Sequence, residues 1–195
     1  MQRVHFDPEK HVYRLGGSGG RILPSVTGII RPLMDFSMVD PTKLEYRRQL
    51  GTAVHLATEL HDEGNLNEDT LDPAIIPYLD AWKKFKLEMN VNILASEESI
   101  FHSTLLYAGR LDNRATVGGW PYVIDKKCTA TLSPVTGIQL AGYLGAVGAK
   151  NTRRAAVQLK ENGSYVFEEY VGAGDWPMFI SLLNVKNWRE KHGIK

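Results

Sequence analysis

The chain has 195 residues, of which 43% are hydrophobic and 23% charged. Its 23 Lys and Arg residues nearly balance its 22 Asp and Glu residues, for a formal net charge of +1. This balance excludes a polybasic protein that binds nucleic acid through bulk charge alone. The composition also excludes a disordered or collagen-like chain. At this length we expect one domain over residues 1–195, with a hairpin and short helix in residues 1–40 and a core in residues 41–195.

Two further classes of protein are excluded by short patterns. No apolar run approaches the roughly 20 residues that a membrane helix needs, and residues 1–11 lack the hydrophobic stretch of a targeting peptide. The single cysteine, Cys128, permits no internal disulfide, no iron–sulfur cluster on four cysteines and no cysteine-based zinc site. We therefore expect a soluble cytoplasmic protein with no membrane partner, in which any metal is bound by oxygen and imidazole ligands.

The first predicted elements are a hairpin and a short helix. The β-prone runs at residues 4–6 and 11–15 flank the turn-forming residues 7–10, as in a hairpin. After a glycine-rich turn, Ser25 or Thr27 can cap a short helix, because either side-chain oxygen can accept a hydrogen bond from a free backbone N–H of the first helical turn.

Two longer helices are predicted next. Thr42 starts a helix that the turn residues 62–65 end. Gly51 within this helix is unfavourable by ~1 kcal/mol relative to Ala, so we expect another segment to approach the helix closely at that point. A second amphipathic helix is predicted over residues 73–89.

In the middle of the chain the apolar period changes from 3.6 to 2, which indicates strands. Pro134 then opens a helix rich in small residues, residues 162–163 (Asn-Gly) predict a hairpin turn, and Asp175 is expected to cap a final amphipathic helix. The predicted strands are residues 91–94, 98–102, 105–111, 121–127, 155–160 and 164–170. The order of these elements predicts an α/β or α+β domain, with a central mixed sheet flanked by helices.

Two carboxylates and a lysine are predicted to meet where adjacent strands end. Asp125 and Lys127 are two positions apart on one strand, so their side chains share a face while Lys126 points to the other. If the two glycines before this strand turn the chain back, antiparallel pairing brings Asp112 near Asp125. Two carboxylates so close would repel each other unless they shared a cation.

Metal-assisted hydrolysis of a phosphodiester is the chemistry that needs this set of residues. Hard Mg²⁺ or Mn²⁺ takes carboxylate oxygens and keeps water and substrate phosphate as its other ligands. Lys127 beside the ion would orient the attacking water or help to deprotonate it. The backbone carbonyl of Lys126 is a further candidate ligand.

The same residues resemble a known family. Asp112, the hydrophobic-Asp-x-Lys stretch at residues 124–127 and the Gln-x-x-x-Tyr at residues 139–143 resemble core motifs of the PD-(D/E)XK nucleases, in particular the RecB-like branch. Residues 51–55, GTAVH, are similar to the upstream Gly-Thr-x-x-His helix of that branch, and residues 23–27, LPSVT, are similar to small phage-encoded members. The resemblance covers about residues 22–170, and four pieces occur in the expected order.

The resemblance implies a restriction-endonuclease-like core and a metal site with one or two ions of Mg²⁺ or Mn²⁺. Asp112 and Asp125 would bind the metal, Lys127 would be the catalytic lysine, and His55 would be a further ligand. A departure from the pattern is Cys128, where a threonine is commoner. The lack of other cysteines separates the chain from the members that carry an iron–sulfur cluster.

Other residues keep more than one interpretation. Gln139 and Tyr143, one helical turn apart, would face the site and contact DNA or the lysine, although Tyr143 can equally be a packing residue. Glu98 lies on the strand before Asp112, where related nucleases often have an acidic ligand; Glu97 in that role, or a purely structural Glu98, is the alternative. The candidate DNA-binding residues are Arg110, Arg114, Lys150, Arg153 and Arg154.

The function that the resemblance favours is a stand-alone, phage-type exonuclease that acts on single-stranded or duplex DNA ends in recombination, repair or processing. Its expected partner is a single-strand annealing or recombination protein, in the host cytoplasm if the chain is phage-encoded. The alternatives are a structure-specific flap or junction endonuclease and a non-catalytic DNA-binding accessory protein of the same fold. The intact set of Asp112, Asp125 and Lys127 argues against the accessory protein, because it keeps two mutually repelling carboxylates together.

Overall fold

The computed structural model describes residues 4–8, 10–35 and 37–194. Residues 1–3, Glu9, Phe36 and Lys195 lie outside the described residues, and with them one position of the predicted first turn and parts of the predicted N-terminal segment. The described residues form two β-sheets and five α-helices. Within these ranges, no helix combines the length and the apolar content that crossing a membrane requires.

Three short strands form the first, antiparallel sheet. They are β1 (Val4–Asp7), β2 (Val12–Leu15) and β3 (Arg21–Leu23). The predicted hairpin is confirmed, whereas β3 was not predicted, because its three residues are too few to show a period. Ser25 caps helix α1 (Val26–Ile30), since its Oγ accepts a hydrogen bond from the Gly28 N–H at 3.0 Å.

The other elements form a five-stranded sheet and the helices around it. They are α2 (Pro41–Asp62), α3 (Ile76–Glu88), β4 (Val91–His102), β5 (Tyr107–Val117), β6 (Trp120–Lys127), α4 (Val135–Val147), β7 (Arg153–Leu159), β8 (Tyr165–Glu169) and α5 (Asp175–Lys191). The strand order is β4-β5-β6-β7-β8; β6 and β7 are parallel and the other neighbours antiparallel. A parallel pair needs a crossover connection, which α4 supplies. The predicted α/β fold, a central mixed sheet flanked by helices, is confirmed.

Three details of these elements differ from the sequence-based predictions. The strand predicted at residues 105–111 is β5, which continues to Val117, so Asp112 lies within a strand and not at its end. The strands predicted at residues 91–94 and 98–102 are one strand, β4, whose register against β5 shifts between Ile93 and Ala95. A bulge of this kind interrupts the alternation of side chains, which explains the apparent break. The predicted cap at Asp175 is wrong: the cap position is Gly174, and the Asp175 carboxylate instead pairs with Arg154 at 3.0 Å.

Each face of the central sheet has its own hydrophobic core. Helices α2 and α3 pack on one face around the fully buried Trp82 and Phe85, and α4 and α5 pack on the other around Phe179. Strand β6 contributes to both cores because its side chains alternate, with Ile124 on the first face and Val123 on the second. Full burial of one such side chain contributes roughly 1.5–3 kcal/mol.

Two helical glycines show how differently the two layers are packed. A Cβ placed at Gly142 of α4 would lie 2.5 Å from the Phe179 ring, so the helix approaches α5 too closely for a side chain. At Gly51 of α2, none of the described atoms lies within 4 Å of the Cβ position. The expected close approach at Gly51 is therefore wrong, and that glycine only weakens the helix.

Candidate active site at the carboxyl end of strand β6

The core of the candidate site is the end of β6 and the strand beside it. The antiparallel pairing of β5 with β6 ends at Asn113 and Ile124, so Asp112 and Asp125 are the next residues beyond the last pair, close enough for their charges to interact. Both carboxylates are nearly inaccessible, at 7% and 2% exposure. One Asp112 oxygen, Oδ2, accepts a hydrogen bond from the Lys126 backbone N–H at 2.7 Å, which fixes this carboxylate against the neighbouring strand.

Lys127 is held between the strand and helix α4. Its Nζ lies 2.7 Å from Asp125 Oδ2 and donates a hydrogen bond to Gln139 Oε1 at 3.1 Å. The Gln139 amide in turn donates to the Tyr143 hydroxyl at 3.0 Å, one helical turn further on. The structure thus brings these four residues together in a single chain of polar contacts, and Gln139 contacts the lysine directly.

Burial and charge shift the pKa values of this group in opposing ways. Burial raises the pKa of Asp125; the Lys127 ammonium opposes that shift and the Asp112 carboxylate adds to it. For Lys127, burial acts to lower the pKa, but the Asp125 carboxylate outweighs burial and the net pKa is raised. Lys127 is therefore an ammonium ion at neutral pH and acts as a hydrogen-bond donor.

On the other side of Asp112, helix α2 brings His55 to a second acidic residue. His55 Nδ1 lies 3.6 Å from Glu97 Oε1 and 3.7 Å from Asp112 Oδ2, and its Nε2 lies 3.2 Å from the Lys126 carbonyl oxygen. Burial acts to lower the pKa of His55, but the Asp112 and Glu97 carboxylates outweigh it and raise the pKa. One atom from each of His55, Glu97 and Asp112 lies within 4.8 Å of the others.

Glu97, and not Glu98, belongs to this group. The backbone of Glu97 has a φ of +49°, a left-handed conformation that is unusual for a glutamate in a strand. The Glu98 carboxylate instead binds the Arg114 guanidinium, with NH2 3.1 Å from Oε1. Strand periodicity alone places consecutive side chains on opposite faces, but it does not show which of two neighbouring glutamates meets Asp112.

The donor set fits a hard divalent cation. Carboxylate oxygens dominate it, with one imidazole and one backbone carbonyl, which suits Mg²⁺ or Mn²⁺ better than a metal that prefers sulfur. Among the described residues, no group donates a hydrogen bond to the buried Glu97 Oε1. A buried acceptor without a donor is costly, and a cation between Glu97, Asp112 and His55 would satisfy it.

Lys126 differs from its neighbour Lys127 in every contact. Its side chain is 1% exposed, its Nζ donates to Thr58 Oγ1 at 2.8 Å, and it lies 5.2 Å from the centre of the Trp82 ring. It therefore points into the layer of α2 and α3, as the alternation along the strand predicts. The alternation predicts the face on which the Lys126 side chain lies, but not its partners Thr58 and Trp82, which are distant in the sequence.

Four of the five basic candidates have partners within the protein. Arg110 Nε pairs with Glu97 Oε2 at 2.8 Å, and Arg114 pairs with Glu98. The remaining contacts are those of Arg153, which lies 4.2 Å from the Trp120 ring centre, and of Arg154, which donates to the carbonyls of Gly137 and Gly172. Lys150 is exposed just after α4.

A cavity of about 510 Å³ opens beside the lysine. Lys127 and Gln139 are among its lining residues, together with residues of the segment after α1 and of the loop between β6 and α4. The other lining residues include Leu33, Met34, Thr131, Ser133 and Thr136. Its volume is within the range of small-molecule binding sites.

No protein-family model matches the sequence, and no curated protein matches it. The structure is similar to the crystal structure of SSO0001, with 16% identity and a TM-score of 0.42 over 82% of this chain and 72% of that one. It is also similar to an alkaline exonuclease, LHK-Exo, from Laribacter hongkongensis, with 13% identity and a TM-score of 0.43 over 87% and 91% of the two chains. For the crystal structure of LHK-Exo in complex with dAMP, the identity is 14% and the TM-score is 0.42, over 88% of this chain and 93% of that one. Similarity at this level assigns neither a family nor an activity to the chain.

Proposed function

We propose that this chain is a metal-dependent DNA nuclease of the PD-(D/E)XK type that acts as an exonuclease on DNA ends, in recombination, repair or processing. The observation that carries the proposal is the meeting of Asp112, Asp125 and Lys127 at the end of β6, next to Glu97 and His55. An ordinary surface ion pair does not account for this arrangement, because the carboxylates are buried beside each other.

The proposed metal ligands lie on four elements, α2, β4, β5 and β6. Asp112, Glu97 and His55 would hold Mg²⁺ or Mn²⁺, with Asp125 and the Lys126 carbonyl as further ligands. When bound, such an ion supplies a Lewis acid for the scissile phosphate and compensates the repulsion between the carboxylates. His55 must be neutral to bind a metal. Because its pKa is raised, the metal ion must compete with a proton for the imidazole nitrogen.

Lys127 would orient the reacting oxygen atoms. Asp125 and Gln139 hold the Lys127 ammonium in one position, so the side chain does not sample many rotamers. Its remaining N–H donor would then point toward the cavity. Burial holds the pKa of Tyr143 well above its ordinary value, so this hydroxyl stays neutral. Tyr143 would support Gln139 and take no part in proton transfer.

The DNA strand would enter through the cavity beside Lys127, and Lys150 is the exposed candidate for a phosphate contact. We also propose that residues 1–195 act as one domain. The Ala108 N–H of β5 donates to the Pro24 carbonyl at 3.0 Å, and Arg110 of β5 lies 5.6 Å from the Phe6 ring centre, so the small sheet is joined to the catalytic sheet. A single-strand annealing or recombination protein is the proposed partner.

The test is a nuclease assay on end-labelled linear DNA and on covalently closed circular DNA, with Mg²⁺, Mn²⁺ or EDTA. We expect degradation of the linear DNA alone, and its loss with EDTA and in the variants Asp125→Asn and Lys127→Met. Circular dichroism and thermal unfolding of both variants confirm that they remain folded.

Other outcomes separate the alternatives. Cleavage of closed circles, or of flaps and junctions with linear duplex left intact, would replace the exonuclease by an endonuclease. If the chain binds DNA but cleaves none with any divalent metal, it is an accessory protein. Normal activity of Asp125→Asn and Lys127→Met would place the active site elsewhere.

A further inference from the structure

We propose that Arg110 is a positioning residue for the metal ligand Glu97 and not a contact for DNA, an inference that rests on the proposed metal-dependent function. The two oxygens of the Glu97 carboxylate have different surroundings. Oε2 lies 2.8 Å from Arg110 Nε, whereas Oε1 faces His55 Nδ1 at 3.6 Å. Among the described residues Arg110 Nε has no hydrogen-bond acceptor in good geometry, so the contact with Oε2 is an ion pair. This ion pair draws Oε2 toward the guanidinium and leaves Oε1 on the side of the metal group.

The charge of Arg110 is already used within the protein. A second carboxylate, that of Glu59, lies 3.6 Å from its NH2 atom, and the Phe6 ring centre lies 5.6 Å from its Cζ atom. Phe6 is itself packed on Tyr13, with 4.8 Å between the ring centres, and Tyr13 is 2% exposed. The small sheet therefore fixes one side of the guanidinium while two glutamates bind its polar edge. The Arg110 side chain is 36% exposed, but its charge is already balanced by two carboxylates, which reduces its attraction for a phosphate.

The backbone of Glu97 explains why its side chain needs a partner. Its φ of +49° is a sparsely populated conformation, which persists only where the surroundings enforce it. A free glutamate side chain also loses much rotamer freedom when a metal orders it. A partner that orders the carboxylate in advance reduces this loss, as the hydrogen-bonded outer partners of metal ligands do in general. Arg110 is placed to provide this order.

The experiment measures Mn²⁺ affinity by electron paramagnetic resonance, in the wild-type chain and in Arg110→Lys and Arg110→Gln. We expect both variants to bind Mn²⁺ about 10- to 100-fold more weakly, the range usual for loss of such a partner. Arg110→Lys keeps the positive charge and loses the fixed geometry of the fork, so it separates orientation from charge. At saturating Mn²⁺ we expect the KM for DNA to be unchanged.

The matched control is Arg114→Gln, which removes an arginine–glutamate pair from the same two strands but not from the metal group. Its Mn²⁺ affinity should equal that of the wild-type chain. In a Glu97→Gln background, Arg110→Gln should have no further effect on Mn²⁺ affinity, because the two residues act as one unit. Thermal unfolding of each variant shows whether it is folded, and Arg110→Lys keeps the charge should Arg110→Gln fail to fold.

Three results would overturn the proposal. Unchanged Mn²⁺ affinity with a raised KM for DNA would make Arg110 a DNA contact. Tighter Mn²⁺ binding by Arg110→Gln, with Arg110→Lys equal to wild type, would show that Arg110 acts only by repelling the cation. A wild-type chain that binds no Mn²⁺ and cleaves no DNA would remove the proposed function as well, a failure distinct from the first two.

Discussion

The two faces of the central sheet treat consecutive lysines of β6 in opposite ways. On the face covered by α4, Lys127 binds Asp125 and Gln139 at the mouth of a cavity. On the face covered by α2 and α3, Lys126 is sealed against Thr58 and Trp82. Alternation along a strand is enough to place one of two neighbouring, chemically identical side chains at the proposed active site and to bury the other in the opposite layer.

The space around one glycine in each helical layer also differs between the two faces. Helix α4 is so close to α5 that Gly142 has no room for a side chain, whereas α2 has open space at Gly51. The α4 layer therefore offers tight packing that fixes Gln139 and Tyr143, and the α2 layer contributes His55 from a helix with fewer close contacts. If the two layers differ in this way, substitutions on them should range from a large loss of activity to a small gain in stability.

The largest effect is expected on the lysine that faces α4. Lys127→Met should lower the rate of DNA cleavage by about 10²- to 10⁴-fold, the range for loss of a group that positions or transfers a proton. The free energy of unfolding should fall as well, because loss of the ammonium leaves the buried Asp125 carboxylate without its cationic partner. Single-turnover cleavage and urea unfolding measure the two quantities. A drop of less than tenfold would end the assignment of Lys127 as the catalytic lysine.

The second prediction concerns the buried lysine on the other face. Lys126→Ala should lower the free energy of unfolding by about 2–4 kcal/mol, because it leaves a cavity under the Trp82 ring and removes the donor to Thr58. Lys126→Met, which refills the volume, should restore most of this loss. Urea unfolding at constant pH provides the comparison, and equal stability of Lys126→Ala and wild type would contradict it.

Third, the packed glycine of α4 should not tolerate a methyl group. Gly142→Ala places a Cβ 2.5 Å from the Phe179 ring, and we expect a loss of about 1–2 kcal/mol, since overpacking of about 1–3 kcal/mol exceeds the gain in helix propensity. Phe179→Leu relieves the clash. The double variant Gly142→Ala/Phe179→Leu should therefore lose less free energy of unfolding than the sum of the losses of the two single variants. Differential scanning calorimetry measures both.

The smallest effect has the opposite sign and falls on α2. Gly51→Ala should raise the free energy of unfolding by about 0.5–1 kcal/mol, because alanine favours the helix and meets no described atom within 4 Å. Urea unfolding of this variant beside the wild-type chain measures the difference. A destabilised Gly51→Ala variant would show that the open space is occupied in solution and that the two layers are packed alike.

The features that follow from local rules could be predicted from the sequence. The hairpin at the Asn162-Gly163 turn, the cap at Ser25 and the turn that pairs β5 with β6 each depend on a few neighbouring residues, and the structure confirms them. The placement of Asp112 beside Asp125 follows from that pairing. The fold class follows from the order of the elements.

Features that depend on tertiary contacts could not be predicted. Glu97 lies between the β4–β5 pairs Ser96–Asn113 and Glu98–Leu111, across from Asp112, and no sequence pattern marks this register or the positive φ of Glu97. The contacts of Arg110 with Glu97 and with Phe6 of a different sheet likewise could not be predicted, because they join residues far apart in the sequence. The prediction of a close approach at Gly51 was wrong because a glycine within a helix does not by itself show that another segment packs against it.

The indole of Trp82 gives the molecule its own optical reporter. The chain has four tryptophans; Trp82 is fully buried, while Trp120, Trp176 and Trp188 are 54%, 36% and 56% exposed. Iodide, which quenches indoles that it can reach, will leave the emission of Trp82 dominant. The Lys126 Nζ lies 5.2 Å from the centre of that ring. The remaining fluorescence therefore reports on the end of β6, which carries Lys126 and Lys127, without any attached dye.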